Sequence, residues 1–321
     1  MRARARWLIW VAFASAAVAC GTRTGLLVDE FAADSGSDAG VDARTTDAAR
    51  DARPEASVDA SIDAPKPFDA SKPDVQIISD CPDASGTLIY LITSDDQLLS
   101  FYPPSLTFKT IGTIACPGAG NNGPFSMAVD HTGVAYVVFT DGSLYQVSTA
   151  NASCKKTSFV PGQQGFTTFG MGFSADQNGD QLYVSQSIAN GQFSKGLATI
   201  DTKTFKLNFI SAFTPPTPRC ELTGTGDGRL FAYWPNTQGS GSNIAQIDPK
   251  TANVNGVDPL IAGGPNDAFA FAFWGGDFWV FSSTGGPTTV TRFDPVTLKE
   301  STATSFGGTI VGAGVSTCAP Q

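Results

Sequence analysis

From Gly86 to the C-terminus the chain is written in short apolar runs, four to eight residues long, each closed off by Gly, Asn, Asp or Pro. Runs of that length with period-2 alternation read as β-strands, and the punctuation between them reads as tight turns. The clearest example is "LATIDTKTFKLNFI", Leu197 to Ile210, in which Phe205, Leu207 and Phe209 alternate with Lys206 and Asn208. Two further segments share its frame of apolar-x-x-apolar-Asp-x-x-Thr: "IAQIDPKTANVNGV" from Ile244 and "VTRFDPVTLKESTA" from Val290. "LLSFYPPSLTFKTI" from Leu98 and "LYQVSTANASCKKT" from Leu144 keep the pattern without the aspartate. One hairpin is thus written five times. Its aspartates (Asp201, Asp248, Asp294) read as turn residues whose carboxylates bond nearby backbone amides, not as catalytic groups.

A second hairpin precedes four of the five, with a small-residue apolar strand running into a Gly/Asp/Asn turn: "FSMAVDHTGVAYVVF", "GMGFSADQNGDQLYVS", "ELTGTGDGRLFAYW" and "FAFAFWGGDFWVFS". Their first strands start near Ser126, Gly170, Glu221 and Phe269, spaced by 44, 51 and 48 residues. Four antiparallel strands (A to D) repeating at about 40–50 residues predict a β-propeller. The first unit, "GTLIYLITSDDQLLSFYPPSLTFKTIGTI", has strands B, C and D but no A. The missing strand is at the other end of the chain, in "TIVGAGVST" (Thr309 to Thr317). The expected fold is all-β: a five-bladed β-propeller closed by the C-terminal strand completing blade one.

That closure gives the cysteines a reading. Cys318 follows strand A of blade one and Cys81 precedes its strand B, so a Cys81–Cys318 disulfide replaces the hairpin that joins A to B elsewhere. By elimination Cys116 and Cys154, in neighbouring blades, form a second pair, although the strand order puts them on opposite rims and requires the "PGAGNNGP" loop to bend back. Cys220 is left as a buried small hydrophobe.

The first 76 residues follow a different pattern. Arg2, Arg4 and Arg6 precede an apolar run from Trp7 to Ala19, too short to span a bilayer, and Ala17-Val18-Ala19 leads directly into Cys20. This resembles the lipobox of bacterial lipoproteins, which implies a signal peptide over 1–19 and a lipidated N-terminal segment over 20–32 attached through Cys20. Gly21 in place of aspartate implies an outer-membrane destination. Residues 33–76 are rich in Asp, Ala, Ser and Pro, and predict a disordered linker, since they have too little apolar surface to offset the entropy of ordering. As flexible coil it gives a tether of about 35–40 Å. The propeller domain then occupies 77–321. The chain as a whole is similar to bacterial outer-membrane lipoproteins with a tethered propeller, and its repeats resemble the YVTN/NHL-like class. No blade carries a strict family motif.

Charge and motifs narrow the function. The net charge is −9, and from Gln76 onward there are 17 acids against 11 bases with no basic cluster larger than Lys155-Lys156, which excludes a nucleic-acid partner. "DQNGD" (Asp176, Asn178, Asp180) has oxygen-rich spacing but lacks the glycine and distal glutamate of a calcium loop, and Asn-Gly marks a hairpin. "GTGDGR" is followed by no helix that would complete a phosphate cradle. His131, the single histidine, lies in a turn. No catalytic, metal or cofactor site emerges. Glu221 is the one carboxylate on the channel-lining strands, whereas a glycosidase needs a pair. The expected function is a membrane-tethered extracytoplasmic binding or scaffolding module whose partner is an envelope protein or glycan. The alternative is a propeller hydrolase or lyase acting on extracellular polysaccharide. The binding face is the rim carrying the D–A and B–C connections, with Phe166, Phe193 and Trp234 as candidate anchors.

The anchor has a direct check. Metabolic labelling with a palmitate analogue should mark the wild-type chain and leave Cys20→Ser unmarked; equal labelling of both removes the lipid from the picture.

Overall fold

A computed structural model of the chain describes residues 87–188, 192–264 and 268–321. The expected tether, Cys20 and Cys81 lie outside the described residues. The apolar runs fold into twenty strands arranged in five four-stranded antiparallel sheets. Blade two comprises β4 (Pro124–Val129), β5 (Val134–Phe139), β6 (Leu144–Ser148) and β7 (Cys154–Lys156). Blade three comprises β8 (Thr168–Asp176), β9 (Gly179–Ser187), β10 (Leu197–Ile200) and β11 (Leu207–Ser211). Blade four runs from β12 (Glu221–Gly224) through β13 (Leu230–Pro235) and β14 (Ser242–Ile247) to β15 (Val254–Leu260). Blade five has β16 (Ala268–Trp274), β17 (Asp277–Ser283), β18 (Thr288–Asp294) and β19 (Lys299–Phe306).

Blade one joins the two ends of the domain. Its sheet order is β20-β1-β2-β3, with β1 (Ile89–Thr93), β2 (Gln97–Tyr102) and β3 (Thr107–Thr113) taken from the start and β20 (Ile310–Val315) from the end. The register sets Ile89 opposite Val315 and Leu91 opposite Ala313. The inner strands β20, β4, β8, β12 and β16 pack side by side around the axis, and β16 meets β20 to close the circle. The fold is a five-bladed β-propeller.

Strand A is rich in small residues because five of them converge on one axis. A Cβ placed on Gly172 lies 2.7 Å from the Leu222 carbonyl oxygen, and one on Gly314 lies 2.9 Å from the Ala128 carbonyl carbon. No side chain fits between backbones that close. The larger apolar residues go between blades instead, and they form five separate clusters, one at each blade–blade interface. Phe269, Phe271 and Phe273 lie between blades four and five, where Tyr233 stacks at 5.7 Å from Phe269 and Phe231 at 5.5 Å from Phe273. They are core, as their alternation implies.

The repeated C–D hairpins share one backbone device. Asp201 accepts hydrogen bonds from the amides of Lys203 and Thr204 (2.8 and 2.9 Å), Asp248 from Lys250 and Thr251, and Asp294 from Val296 and Thr297. These donors hold the Asp201 carboxyl below its ordinary range; for Asp294 the Thr297 hydroxyl is the larger cause. Each of the five turns then passes through a left-handed residue: Leu106, Ala152, Phe205, Ala252 and Leu298, at φ between 54° and 61°. None is glycine, so sequence alone gives no hint of this conformation.

Cys116 and Cys154 form a disulfide with Cα atoms 5.0 Å apart. The two residues belong to different rims on a flat diagram of the blades, but blades are not flat. Neighbouring strands rotate by about 20–25°, so three steps swing the outer strand some 60–75° from the inner one. The end of β3 therefore leans across blade two, where Gly112 sits against Ala152. The loop after Cys116 need not bend back. Cys318 is itself a disulfide-bonded cysteine, while Cys220 is free and buried.

Removing residues 309–321 should leave an insoluble chain, because it strips β20 and exposes the edge of β1 and two apolar faces. Removing only 319–321 should give a soluble, folded domain with a melting temperature lower by a few degrees. Solubility and thermal melting of the two truncations distinguish an inner strand from a loose tail.

Candidate functional site

The two mouths of the axial channel are built differently. At the A–B end, the chain leaving β20 does not run off into solvent but crosses the axis. The Thr317 hydroxyl donates to Asp180 Oδ1 at 2.7 Å, and Asp180 Oδ2 accepts the His131 amide at 2.6 Å and lies 2.8 Å from His131 Nδ1. Gly226 lies directly against the Thr317 carbonyl. The Gly275 amide donates to the Pro320 carbonyl (2.8 Å), and Arg229 Nη2 donates to the Gln321 side-chain oxygen (3.1 Å). The A–B turns of blades three, four and five thus hold the tail directly, with His131 of blade two bonded to Asp180 behind it, and this mouth is plugged. His131 and Asp180 serve as a latch in it. Asp176 caps the Asn178 amide (2.6 Å) and Asp227 pairs with Arg229 (2.9 Å), so "DQNGD" and "GTGDGR" are hairpin turns. Among the described residues no group of three or more His, Cys, Asp or Glu side chains could hold a metal ion.

Among the described residues the opposite mouth, on the side of the D–A and B–C connections, is open. A cavity of about 80 Å³ lies there, and every blade contributes to its wall: Val311, Phe125, Gly170, Glu221 and Phe269. Blade four supplies its polar groups through Arg219, Cys220 and Glu221, which lead into and begin β12. Glu221 is 5% exposed. Its Oε2 accepts the Ser126 hydroxyl at 2.6 Å, joining blade four to blade two, and the Met171 amide of blade three donates to the same carboxyl. Burial pushes the Glu221 pKa up to about 8, a rise only partly opposed by Ser126, Arg219 and Met171. At neutral pH the acid is protonated. Cys220 donates to Ser185 Oγ at 3.1 Å, and burial pushes its thiol up to about 12.

The three anchors read from the sequence fare differently. Phe193 is 63% exposed on the B–C connection of blade three. The backbone of this loop pairs with the segment leading to Arg219: Phe193 bridges Pro218, and the Ser194 amide donates to the Thr217 carbonyl at 2.9 Å. Trp234 is half-buried against the cluster between blades three and four. Phe166 is a correction, being fully buried beside Phe209. Its loop is folded down onto blade three because the Gln163 and Gln164 side-chain amides donate to the Phe205 and Leu207 carbonyls. Two exposed residues on the same rim were not singled out from sequence: Val160 (65%) and Ile261 (88%), each in a D–A connection. They are isolated apolar positions with no pattern to mark them.

No protein-family profile matches the chain, and no curated protein matches it. Solved structures do. A nidogen/laminin complex chain is 11% identical with a TM-score of 0.45, covering 72% of this chain and 98% of its own. An exo-β-1,3-galactanase from Clostridium thermocellum is 14% identical with a TM-score of 0.45, covering 69% of this chain and 53% of its own. TolB from Acinetobacter baumannii is 14% identical with a TM-score of 0.41, covering 70% of this chain and 55% of its own. At these identities the likeness extends to the fold alone.

Glu221 carries a pH signature. Below about pH 4.5, its ordinary value, folded and unfolded chains both hold the proton. Between about 4.5 and 8 the unfolded chain releases a proton that the folded one keeps, so stability falls as pH rises; above 8 both are ionised and the loss stops. The slope amounts to about 3–5 kcal/mol across that window. Glu221→Gln should remove it. Denaturant unfolding of both proteins at pH 5 and pH 8 should show the variant gaining on the wild type at the higher pH.

Proposed function

We infer that this chain is an extracytoplasmic binding or scaffolding module, held at the outer membrane through Cys20, that engages an envelope partner with its open rim. The observation that carries this reading is the asymmetry of the two mouths. One is occupied by the chain's own C-terminus, and the other carries a small axial cavity ringed by loops that expose Val160, Phe193 and Ile261. Three exposed apolar side chains carried on the loops of one rim supply candidate anchors for a protein interface. The polysaccharide hydrolase alternative requires a second carboxylate near Glu221, because acid and base roles fall to different groups. Glu221 is the only acid in the wall of this cavity among the described residues.

The reading is tested by capturing components of solubilised envelopes on the purified chain, in wild-type and two variant forms. Replacing Val160, Phe193 and Ile261 together by serine should reduce the captured component at least tenfold. Replacing Val296 and Leu298 by serine, which are equally exposed on a C–D turn of blade five, should leave it unchanged. The opposite result moves the interface to the other side of the ring. Release of reducing ends from envelope polysaccharide by the wild type, lost in Glu221→Gln, replaces binding with hydrolysis.

A further inference from the structure

The open mouth contains a cation with no hydrogen-bonded partner, near Glu221 but not paired with it. Among the described residues the Arg219 guanidinium makes no hydrogen bond and no ion pair; it lies over the face of Phe269, 4.9 Å from the ring centre. A guanidinium offers five N–H donors in a planar fork, and a half-buried one with none satisfied is costly. Glu221, two residues away, is the obvious counter-ion, yet its carboxyl is occupied by Ser126 and Met171. Cys220, the other titratable group in the wall, bonds to Ser185.

We propose that the axial mouth binds a carboxylate borne on a small apolar group, with the Arg219 fork taking both carboxylate oxygens and the walls of Phe125, Phe269 and Val311 taking the apolar part. This rests on the reading of the open rim as the binding face, and it names the chemistry that rim recognises. Arg and carboxylate match in planar, bidentate geometry, which a lysine or a neutral donor does not provide. The cavity volume of about 80 Å³ holds a handful of water molecules, and so a carboxylate with a short side chain. The walls decide between an apolar acid and an acidic sugar. A sugar brings several hydroxyls that need partners, and the polar side chains of this wall are few: Arg219, Ser187, Cys220 and Glu221, the last two already bonded to Ser185 and Ser126. Each hydroxyl left unpaired is penalised by its lost hydration, whereas an aliphatic group against Phe and Val is not. The protonated state of Glu221 fits the same ligand, since an ionised glutamate would repel it and compete for Arg219.

The chemistry has two sources, a free short-chain acid or the C-terminal residue of a peptide, and calorimetry on the mature chain separates them. The probes are isobutyrate, isobutyramide, a pentapeptide ending in alanine with a free or an amidated terminus, and galacturonate. Isobutyrate should bind and isobutyramide should bind at least tenfold more weakly. A free-ended pentapeptide that binds more tightly than isobutyrate makes the source a chain end; weaker binding makes it a small acid. Arg219→Lys should lose at least tenfold in affinity while melting normally. Affinity in the wild type should fall as pH rises through about 8, as Glu221 ionises, and Glu221→Gln should abolish that fall. Equal binding of acid and amide, undiminished binding by Arg219→Lys, or binding of galacturonate without isobutyrate overturns the proposal. Should envelope capture survive Arg219→Lys while no acid binds, the rim reading stands and this one fails. Should the acid bind while the rim variants capture as well as wild type, the reverse holds.

Discussion

Every blade of this ring is apolar on both faces, and that can be satisfied in one way. A sheet with two apolar faces needs a neighbour on each side, and in a row of five the end members lack one. Pairing β20 with β1 turns the row into a circle. Ile310, Ala313 and Val315 enter the cluster between blades one and five, and Val311 packs against the one between blades one and two. The closing strand therefore completes two interfaces and one hydrogen-bonded sheet at once. No other strand joins residues so distant in sequence, and the remaining interfaces are all between consecutive blades.

Closure at the inner strand also creates the difference between the two mouths. β20 runs along the axis toward the A–B end, so the residues after it emerge at the centre of that face and have only the turns around them to bond to. The turns of blades three, four and five receive them through Asp180, Gly226, Arg229 and Gly275. The Cys116–Cys154 bond fastens the outer edges of blades one and two, beside the same junction. One strand placement thus sets the topology, seals one mouth and leaves the other as the accessible end of the axis.

Much of this was legible because period-2 alternation and a 44–51-residue repeat survive in the sequence without strict motifs. The absent strand A of blade one was readable as a gap in an otherwise regular count. What escaped depends on three-dimensional geometry that no local pattern encodes. The left-handed turn position is filled by Leu, Ala and Phe rather than glycine. The ease of the Cys116–Cys154 bond follows from accumulated sheet twist. Phe166 and Phe193 are both phenylalanines in loops of one rim, and their opposite burial turns on two glutamine side chains that pull one loop down. Glu221 was visible as a lone carboxylate; that Arg219 stands beside it without a hydrogen-bonding partner was not.

The composition of strand A gives Glu221 its meaning. Five inner strands meet so closely that glycine, alanine and serine are forced on most positions facing a neighbour. A fully buried, protonated glutamate is the exception, and it makes the fold less stable as pH rises toward neutrality. Its two donors come from blades two and three, so it ties three inner strands together. Glutamine in its place would keep a carbonyl oxygen for the Ser126 hydroxyl without the proton linkage. The charge state of this acid bears on its cationic neighbour. That neighbour is Arg219, for which an ionised Glu221 is a counter-ion and a protonated one is not. Departures from the locally most stable choice concentrate where a protein does its work, and in this ring the departure is at the one mouth the chain leaves open.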